Sequence, residues 1–288
     1  MNPSAELTSR LAAARSYLFV PGDRPDRYQK AVDSGADVVV IDLEDAVTPD
    51  RKAGARREAA AWLAGGGAAI VRINDARTDH HRADVDALRE GEGLLGVMVP
   101  KAETPEVLSA VAVRTEAPVV ALVESAIGMR DVHALAAAPG VVRLAFGHLD
   151  YALDLGAAPD DAAMLHARST LVLASRVAGL AGPVDGVTTA LGEGTTLARD
   201  VRRASTLGMT GKLLIHPNQV SGTHEAFRPS EEDVRWACAV VEAPAVAGAA
   251  RVDGQMVDAP VIARAEAILR RARWSGSPVT RTSAVRSG

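Results

Sequence analysis

A (β/α)8 barrel, an α/β fold, with extra helices at its C-terminal end is what this sequence predicts, and three observations carry that reading. Short apolar runs recur eight times: Ser16 to Pro21, Val38 to Leu43, Ala69 to Ile73, Val97 to Val99, Val119 to Val123, Val141 to Phe146, Val184 to Val187 and Leu213 to Ile215. Valine-rich runs of this kind are the pattern of strands buried on both faces of a parallel sheet. Between them lie longer segments of helical composition, such as Arg24 to Ser34, Pro49 to Leu63, Pro105 to Val113 and Asp160 to Ala178. That alternation marks βαβ units. The third observation is size: 288 residues accommodate a barrel of about 250 residues and leave a remainder. The competing fold, a doubly wound open sheet, would carry G-x-G-x-x-G after its first strand, where this chain has Pro21-Gly22-Asp23.

In chain order, residues 1–14 stand ahead of the first run as an N-terminal extension, and the barrel is expected over 15–228. Asp23-Arg24-Pro25, Thr48-Pro49 and Thr104-Pro105 each place a capping side chain and an early proline where a helix should begin. Gly65-Gly66-Gly67 reads as a turn from helix to strand. Gly192-Glu193-Gly194 also reads as a turn, because the Lys-Ser/Thr of a phosphate loop does not follow it. Residues 229–274 form a C-terminal helical extension or lid. In it Pro229 to Glu242 is one helix ended by Pro244, Arg251 to Pro260 a largely polar turn, and Val261 to Ala272 a second amphipathic helix. The Ser/Arg/Thr-rich residues 275–288 read as a disordered tail.

A net charge of −4, with 48% hydrophobic and 24% charged residues, gives no electrostatic footprint for nucleic acid or for an anionic membrane. No apolar run reaches the roughly 18 residues of a membrane span. Met1 to Ala14, which carries Glu6, lacks the apolar core of a signal peptide, so a cytoplasmic location is expected. Cys238 is the single cysteine, which excludes an intrachain disulfide; in its helix-like surroundings it reads as a small buried hydrophobe.

Catalytic groups of such barrels sit at the C-terminal ends of the strands. The predicted strands end in Asp42-Leu43-Glu44-Asp45, Arg72-Ile73-Asn74, Pro100-Lys101, Glu124-Ser125 and Gly147-His148-Leu149-Asp150; the seventh carries Asp185 and the eighth His216-Pro217-Asn218. Carboxylates from neighbouring strands gathered on one rim repel one another unless a cation sits among them. Two or three carboxylate oxygens, completed by waters and ligand oxygens, is how Mg²⁺ is usually held, and no Cys or His cluster favours zinc. Lys101 reads as an ion-pair partner of the Asp42 to Asp45 cluster in preference to a Schiff-base lysine. His148 reads as a rim histidine bonded to backbone, and His216 as a brace for the loop before Pro217.

Several segments together resemble a known family. Ser16-Tyr17-Leu18-Phe19-Val20-Pro21-Gly22-Asp23-Arg24-Pro25, Ile41-Asp42-Leu43-Glu44-Asp45-Ala46-Val47, Val71-Arg72-Ile73-Asn74, Val99-Pro100-Lys101-Ala102-Glu103, Leu122-Val123-Glu124-Ser125-Ala126, Ile215-His216-Pro217 and Gly254-Gln255-Met256-Val257-Asp258-Ala259-Pro260 are similar to the citrate lyase β-subunit-like group. That group lies within the HpcH/HpaI aldolase superfamily and includes malyl-CoA and citramalyl-CoA lyases. The resemblance implies a TIM barrel in which Glu124 and Asp150 hold Mg²⁺. It implies that Arg72 grips the carboxylate or carbonyl oxygens of the substrate, which Glu124 also meets. Asp258 would supply acid/base chemistry from its own or an adjacent subunit, although by itself it also fits a helix N-cap ahead of Pro260. Phe19, Arg24 and Lys30 would touch coenzyme A in thioester-using members, and the assembly would be a homo-oligomer, a trimer or a hexamer. One departure bears on substrate identity: where many relatives carry Gly-Ala-Glu-Asp, this chain has Gly147-His148-Leu149-Asp150.

The expected activity is that of a Mg²⁺-dependent carbon–carbon lyase acting through an enolate on a 3-hydroxyacyl thioester such as malyl- or citramalyl-CoA. Two alternatives stand beside it. One is a class II aldolase working on free 2-oxo acids such as pyruvate; the other is a non-catalytic subunit that binds an acyl carrier.

Overall fold

The structure, a computed structural model, describes residues 3–89, 91–192, 194–243, 250–252 and 255–274. Eight parallel strands close into a barrel in sequence order: β1 (Ser16–Pro21), β2 (Val38–Asp42), β3 (Ala69–Arg72), β4 (Leu94–Val99), β5 (Val119–Val123), β6 (Val141–Phe146), β7 (Val184–Asp185) and β8 (Gly211–Leu214). Closure runs through β1 and β8, with Tyr17 opposite Leu213. The surrounding helices are α1 (Pro3–Ala13), α2 (Tyr28–Asp33), α3 (Lys52–Ala64), α4 (His80–Ala87), α5 (Pro105–Thr115), α6 (Ala126–Arg130), α7 (Val132–Ala136), α8 (His148–Leu155), α9 (Asp161–Val177), α10 (Gly194–Leu207) and α11 (Gln219–Ala226).

Strands β1, β5 and β6 span the residues expected of them. β4 begins earlier, at Leu94, because Gly96 interrupts an apolar run that otherwise starts there. A Cβ at Gly96 would lie 2.8 Å from Pro118 O and 2.9 Å from Leu11 Cδ1, so glycine leaves room for α1 to reach the barrel floor. The segment ahead of β1 is thus part of the barrel's packing: Leu11 and Ala14 join Tyr17, Val38, Val40, Ile70, Met98, Val120, Leu122, Ala145, Val184 and Leu213 in the interior core. At the floor Arg143, 0% exposed, closes the barrel. Its Nη1 donates to Leu11 O and Ala14 O, both at 2.6 Å, its Nη2 to Thr210 Oγ1 at 2.8 Å and its Nε to Gly182 O at 3.0 Å. The carbonyl end of α1 is where a helix favours a cation.

Side chains along a strand alternate between its two faces. With Val40, Ile70 and Leu122 pointing inward, the same alternation turns Asp42, Arg72 and Glu124 inward at the other end. Asp185 follows inward-facing Val184 and therefore faces the helices.

A second compact unit begins at His224, within α11 and ahead of the expected boundary at residue 229. Its α12 (Glu231–Glu242) opens with a capping box, Ser230 with Asp233, and stops short of Pro244. Ala237 and Val240 pack against Ala265 and Ile268 of α13 (Ala259–Trp274). Cys238 is half-buried there. The stretch expected as a turn instead contains an antiparallel pair, β9 (Ala250–Val252) with β10 (Gln255–Val257). The tail at 275–288 and Glu193 lie outside the described residues. No helix among the described residues is long and apolar enough to cross a membrane.

Candidate functional site

The C-terminal ends of β1, β2, β3, β5, β6 and β8 surround a cavity of about 390 Å³, a size suited to a small-molecule ligand. Phe19, Pro21, Leu122, Phe146, Val187, Leu213 and Ile215 form its apolar wall; Asp42, Asp45, Arg72, Glu124, His148 and Asp150 supply the polar groups. Glu124 and Asp150, the two carboxylates expected to share a cation, therefore open into one space together with Arg72.

Arg72 is held from below by a residue directly opposite it in the β2–β3 register, Asp42. Its Nε and Nη2 donate to the two Asp42 oxygens at 2.7 Å each, a bidentate pairing that fixes the guanidinium plane. Asp42 also accepts from the backbone N–H groups of Glu44 (2.9 Å) and Ala46 (3.1 Å). Nη1 of Arg72 lies 3.0 Å from Glu44 Oε2 and 3.6 Å from Asp45 Oδ2, and the Phe19 ring covers the guanidinium, 4.9 Å from Cζ to ring centroid. The side-on fork of Arg72 is thus committed to Asp42, and Nη1 is paired with Glu44 and Asp45 at the cavity wall. Surrounding carboxylates raise the Arg72 pKa against the opposing effect of burial, so the group is charged at any working pH.

Glu124 is 3% exposed. Its Oε1 accepts from the backbone N–H of Lys101 at 2.8 Å. Burial first, and the neighbouring Glu44 second, push its pKa up to about 8, against the pull of the Lys101 N–H and of Arg72. Gly147 makes the position possible, because a Cβ there would overlap Glu124 Oε2. Asp150 sits exposed in the first turn of α8. Among the described residues no three His, Cys, Asp or Glu side chains gather into a ready-made metal cage. Two carboxylates with open coordination space, one of them buried and destabilised as an anion, fit a hard cation that keeps waters or ligand oxygens. Lys101 pairs with Glu44 through Nζ and Oε1 at 2.8 Å, as expected of it.

Other expected site residues fall elsewhere. Phe19 lines the cavity, but Arg24, paired to Asp26 at 2.8 Å, and Lys30, exposed on α2, are not among its lining residues. Asp258 caps α13 in the second unit, with Oδ1 accepting from Val261 N–H at 3.2 Å. Asp185 does not join the rim: it is 0% exposed and pairs with Arg168 Nε at 2.8 Å and Lys212 Nζ at 3.1 Å. His148 is not braced by backbone. Its Nδ1 is buried with no hydrogen-bond partner among the described residues, and burial lowers its pKa to about 4, leaving a neutral ring on the cavity wall. His216 Nδ1 does accept from Asn218 N–H, at 3.2 Å, as a loop brace. Asn74 is structural too, donating its N–H and Nδ2–H to buried Asp84. Two residues set the geometry in roles that the sequence did not reveal. One is Asp42, whose role depends on strand register. The other is Lys52, whose Nζ donates to Leu43 O at 2.9 Å and Glu44 O at 2.8 Å and so shapes the loop after β2.

The model of the family described as HpcH/HpaI aldolase/citrate lyase matches residues 15–217, and that of the C–C bond lyases of the TIM-barrel fold matches residues 166–277. A citrate lyase subunit beta-like protein of Deinococcus radiodurans is 38% identical over 278 residues, covering 90% of this chain and 97% of its own. An L-malyl-CoA/beta-methylmalyl-CoA lyase of Cereibacter sphaeroides is 35% identical over 300 residues, covering 90% and 94%. Among solved structures, protein CitE of Mycobacterium tuberculosis in complex with magnesium, acetoacetate and coenzyme A superposes with a TM-score of 0.81 at 36% identity, covering 91% of this chain and 99% of that one.

Proposed function

Because the chain belongs to the HpcH/HpaI aldolase/citrate lyase family, we propose that it is a Mg²⁺-dependent carbon–carbon lyase acting on an acyl-CoA, and more narrowly on a 3-hydroxyacyl thioester of the malyl- or citramalyl-CoA kind. The observation that carries this reading is the shared cavity: Glu124 and Asp150 open into the space that Arg72 faces.

Glu124 and Asp150 would hold the cation. When bound, Mg²⁺ supplies Lewis-acid polarisation of the oxyacid and charge stabilisation as the enolate develops. Arg72 contributes a guanidinium whose orientation Asp42 has already fixed, so the substrate's oxyacid meets a donor that need not reorganise during the reaction. The apolar wall of Phe19, Leu122 and Phe146 excludes water from the nascent enolate, which hydrolysis or stray protonation would otherwise intercept. Cleavage requires a base to take the hydroxyl proton. The bond between the hydroxyl-bearing carbon and the α-carbon then breaks, its electron pair passing to the thioester carbonyl, and a proton is returned to the α-carbon. Asp258 is assigned that proton at Oδ2, the oxygen its helix cap does not use. A trimer or a multiple of it would let a neighbouring subunit supply the residue.

The test is to incubate purified protein with malyl-CoA, citramalyl-CoA and a free 4-hydroxy-2-oxo acid, with Mg²⁺ or with EDTA, and to identify products by mass spectrometry. Release of acetyl-CoA with glyoxylate or pyruvate, abolished by EDTA, is the expected result. Cleavage of the free acid alone would move the assignment to the aldolases, and thioester hydrolysis without carbon–carbon cleavage would overturn it.

A further inference from the structure

Lys101 is one of two non-glycine residues with positive φ among the described residues, at +44°. The other, Glu116, only closes the C-terminus of α5. A left-handed backbone is strained for a residue with a Cβ and persists where the surroundings enforce it. Here the enforcement is a bulge. Val97 N–H donates to Pro118 O at 2.9 Å, and a regular parallel ladder advancing two residues at a time would bring Lys101 N–H to Leu122 O. Ala102 N–H takes that carbonyl instead, at 3.1 Å. One extra residue is therefore inserted, and the Lys101 N–H is turned out of the ladder onto Glu124 Oε1. Pro100, beside it, has no N–H to offer. The side chain reaches another carboxylate: Nζ donates to Glu44 Oε1, and Glu44 Oε2 faces Arg72 Nη1. Lys101 lines a smaller neighbouring cavity with Asp75, Arg77 and Glu103 and does not line the main one, so it would act through Glu124 and Glu44.

Glycine would adopt this backbone with less strain, which makes the ammonium the reason for a lysine here. We propose that Lys101 is a positioning residue: its left-handed backbone fixes the Glu124 carboxylate while its ammonium fixes Glu44 against Arg72. One residue thereby sets the spacing between the carboxylate that holds metal and the guanidinium that seats the substrate. Its kinetic consequences rest on the lyase reading; its structural consequence does not.

Two variants remove the ammonium and leave the backbone N–H in place. Lys101→Gly keeps the N–H and the left-handed backbone but removes the ammonium, and Lys101→Met removes the ammonium while keeping an aliphatic stem. In both, Mg²⁺ affinity by calorimetry should stay within about threefold of the parent while KM for the thioester rises about tenfold, the scale of lost outer-sphere support. Unchanged KM in both variants would overturn the proposal, as would a large loss of Mg²⁺ affinity in Lys101→Gly. A crystal structure of Lys101→Met decides without any assay: Glu44 turned away from Arg72 supports the positioning role, and Glu44 unmoved refutes it. Should the parent protein cleave no thioester while that rotation is still seen, the lyase reading fails and the positioning role stands.

Discussion

Arg143 and Arg72 are buried at opposite ends of the same barrel, and their surroundings differ in kind. Arg143 donates to carbonyls, a hydroxyl and the end of α1, so one cation is satisfied by neutral oxygens and a helix dipole. Arg72 is met by Asp42, Glu44 and Asp45. Around it Glu124 and Asp150 open into the same cavity, with Lys101 as the second nearby cation. The floor matches its charge and closes. The mouth gathers more carboxylate than its two cations balance, in a partly desolvated space where that excess is costly, and the pKa of Glu124, pushed up to about 8, registers the cost. In this barrel charge balance separates the floor, whose buried cation is met by neutral oxygens, from the mouth, whose excess of carboxylate fits the proposed cation.

The sharpest way to break the contrast is to neutralise the mouth. Glu124→Gln should lower kcat by about 10³-fold, since a metal contributes several kcal/mol of charge stabilisation to the reaction. It should leave the thermal midpoint unchanged or higher, because a destabilised buried carboxyl has gone; a steady-state assay beside calorimetry tests both halves. Arg143→Met should do the reverse. Ala14 O loses its donor, whereas Leu11 O and Gly182 O keep the hydroxyls of Tyr17 and Thr210. The expected loss is about 2 kcal/mol of stability in denaturant titration, while kcat of the folded fraction stays near the parent value. Arg72→Lys should lower kcat/KM about 30-fold, because a point charge replaces neither the fork on Asp42 nor the remaining donors, with Mg²⁺ affinity little altered.

The smallest effect is a pH dependence. A carboxyl with a folded-state pKa near 8 and an unfolded value near 4.5 keeps its proton in the folded chain between those limits. The metal-free protein should therefore lose stability from this group as pH rises through that window. Mg²⁺ requires the anion, so its affinity should climb by up to about tenfold per pH unit below 8 and level off above it. Calorimetry in buffers of different ionisation enthalpy should detect close to one proton released per Mg²⁺ bound near pH 7.

What the sequence disclosed follows from how local each signal was. β1 and β5 are largely apolar runs that end at proline or a carboxylate, and β6 keeps an apolar run on either side of Arg143, so their ends were readable. β8 was not, because Gly211 and Lys212 break its run; the buried ammonium is tolerated through Asp185 of β7 and the carbonyl of Gly186, both tertiary partners. Asp185 was assigned to the rim because a two-residue strand gives no phase from which to tell inward from outward. The residue types of the mouth were legible as Asp42, Arg72, Glu124 and Asp150. Their division of labour was not, since Asp42 and Arg72 are register partners thirty residues apart and the bulge at Lys101 leaves no compositional trace. His148 was expected to bond backbone and instead presents a neutral ring nitrogen with no partner among the described residues, because ring orientation depends on packing against the chain just after β7, where Gly186 makes room for it.

The central claim, that Glu124 and Asp150 jointly hold one divalent cation, is tested most directly by Mn²⁺ or Mg²⁺ titration at pH 8 of the parent protein, Glu124→Gln and Asp150→Asn, with circular dichroism confirming the fold. The expected result is one equivalent bound by the parent and an affinity reduced by at least about 100-fold in each variant. Parent-like binding in either variant would contradict it.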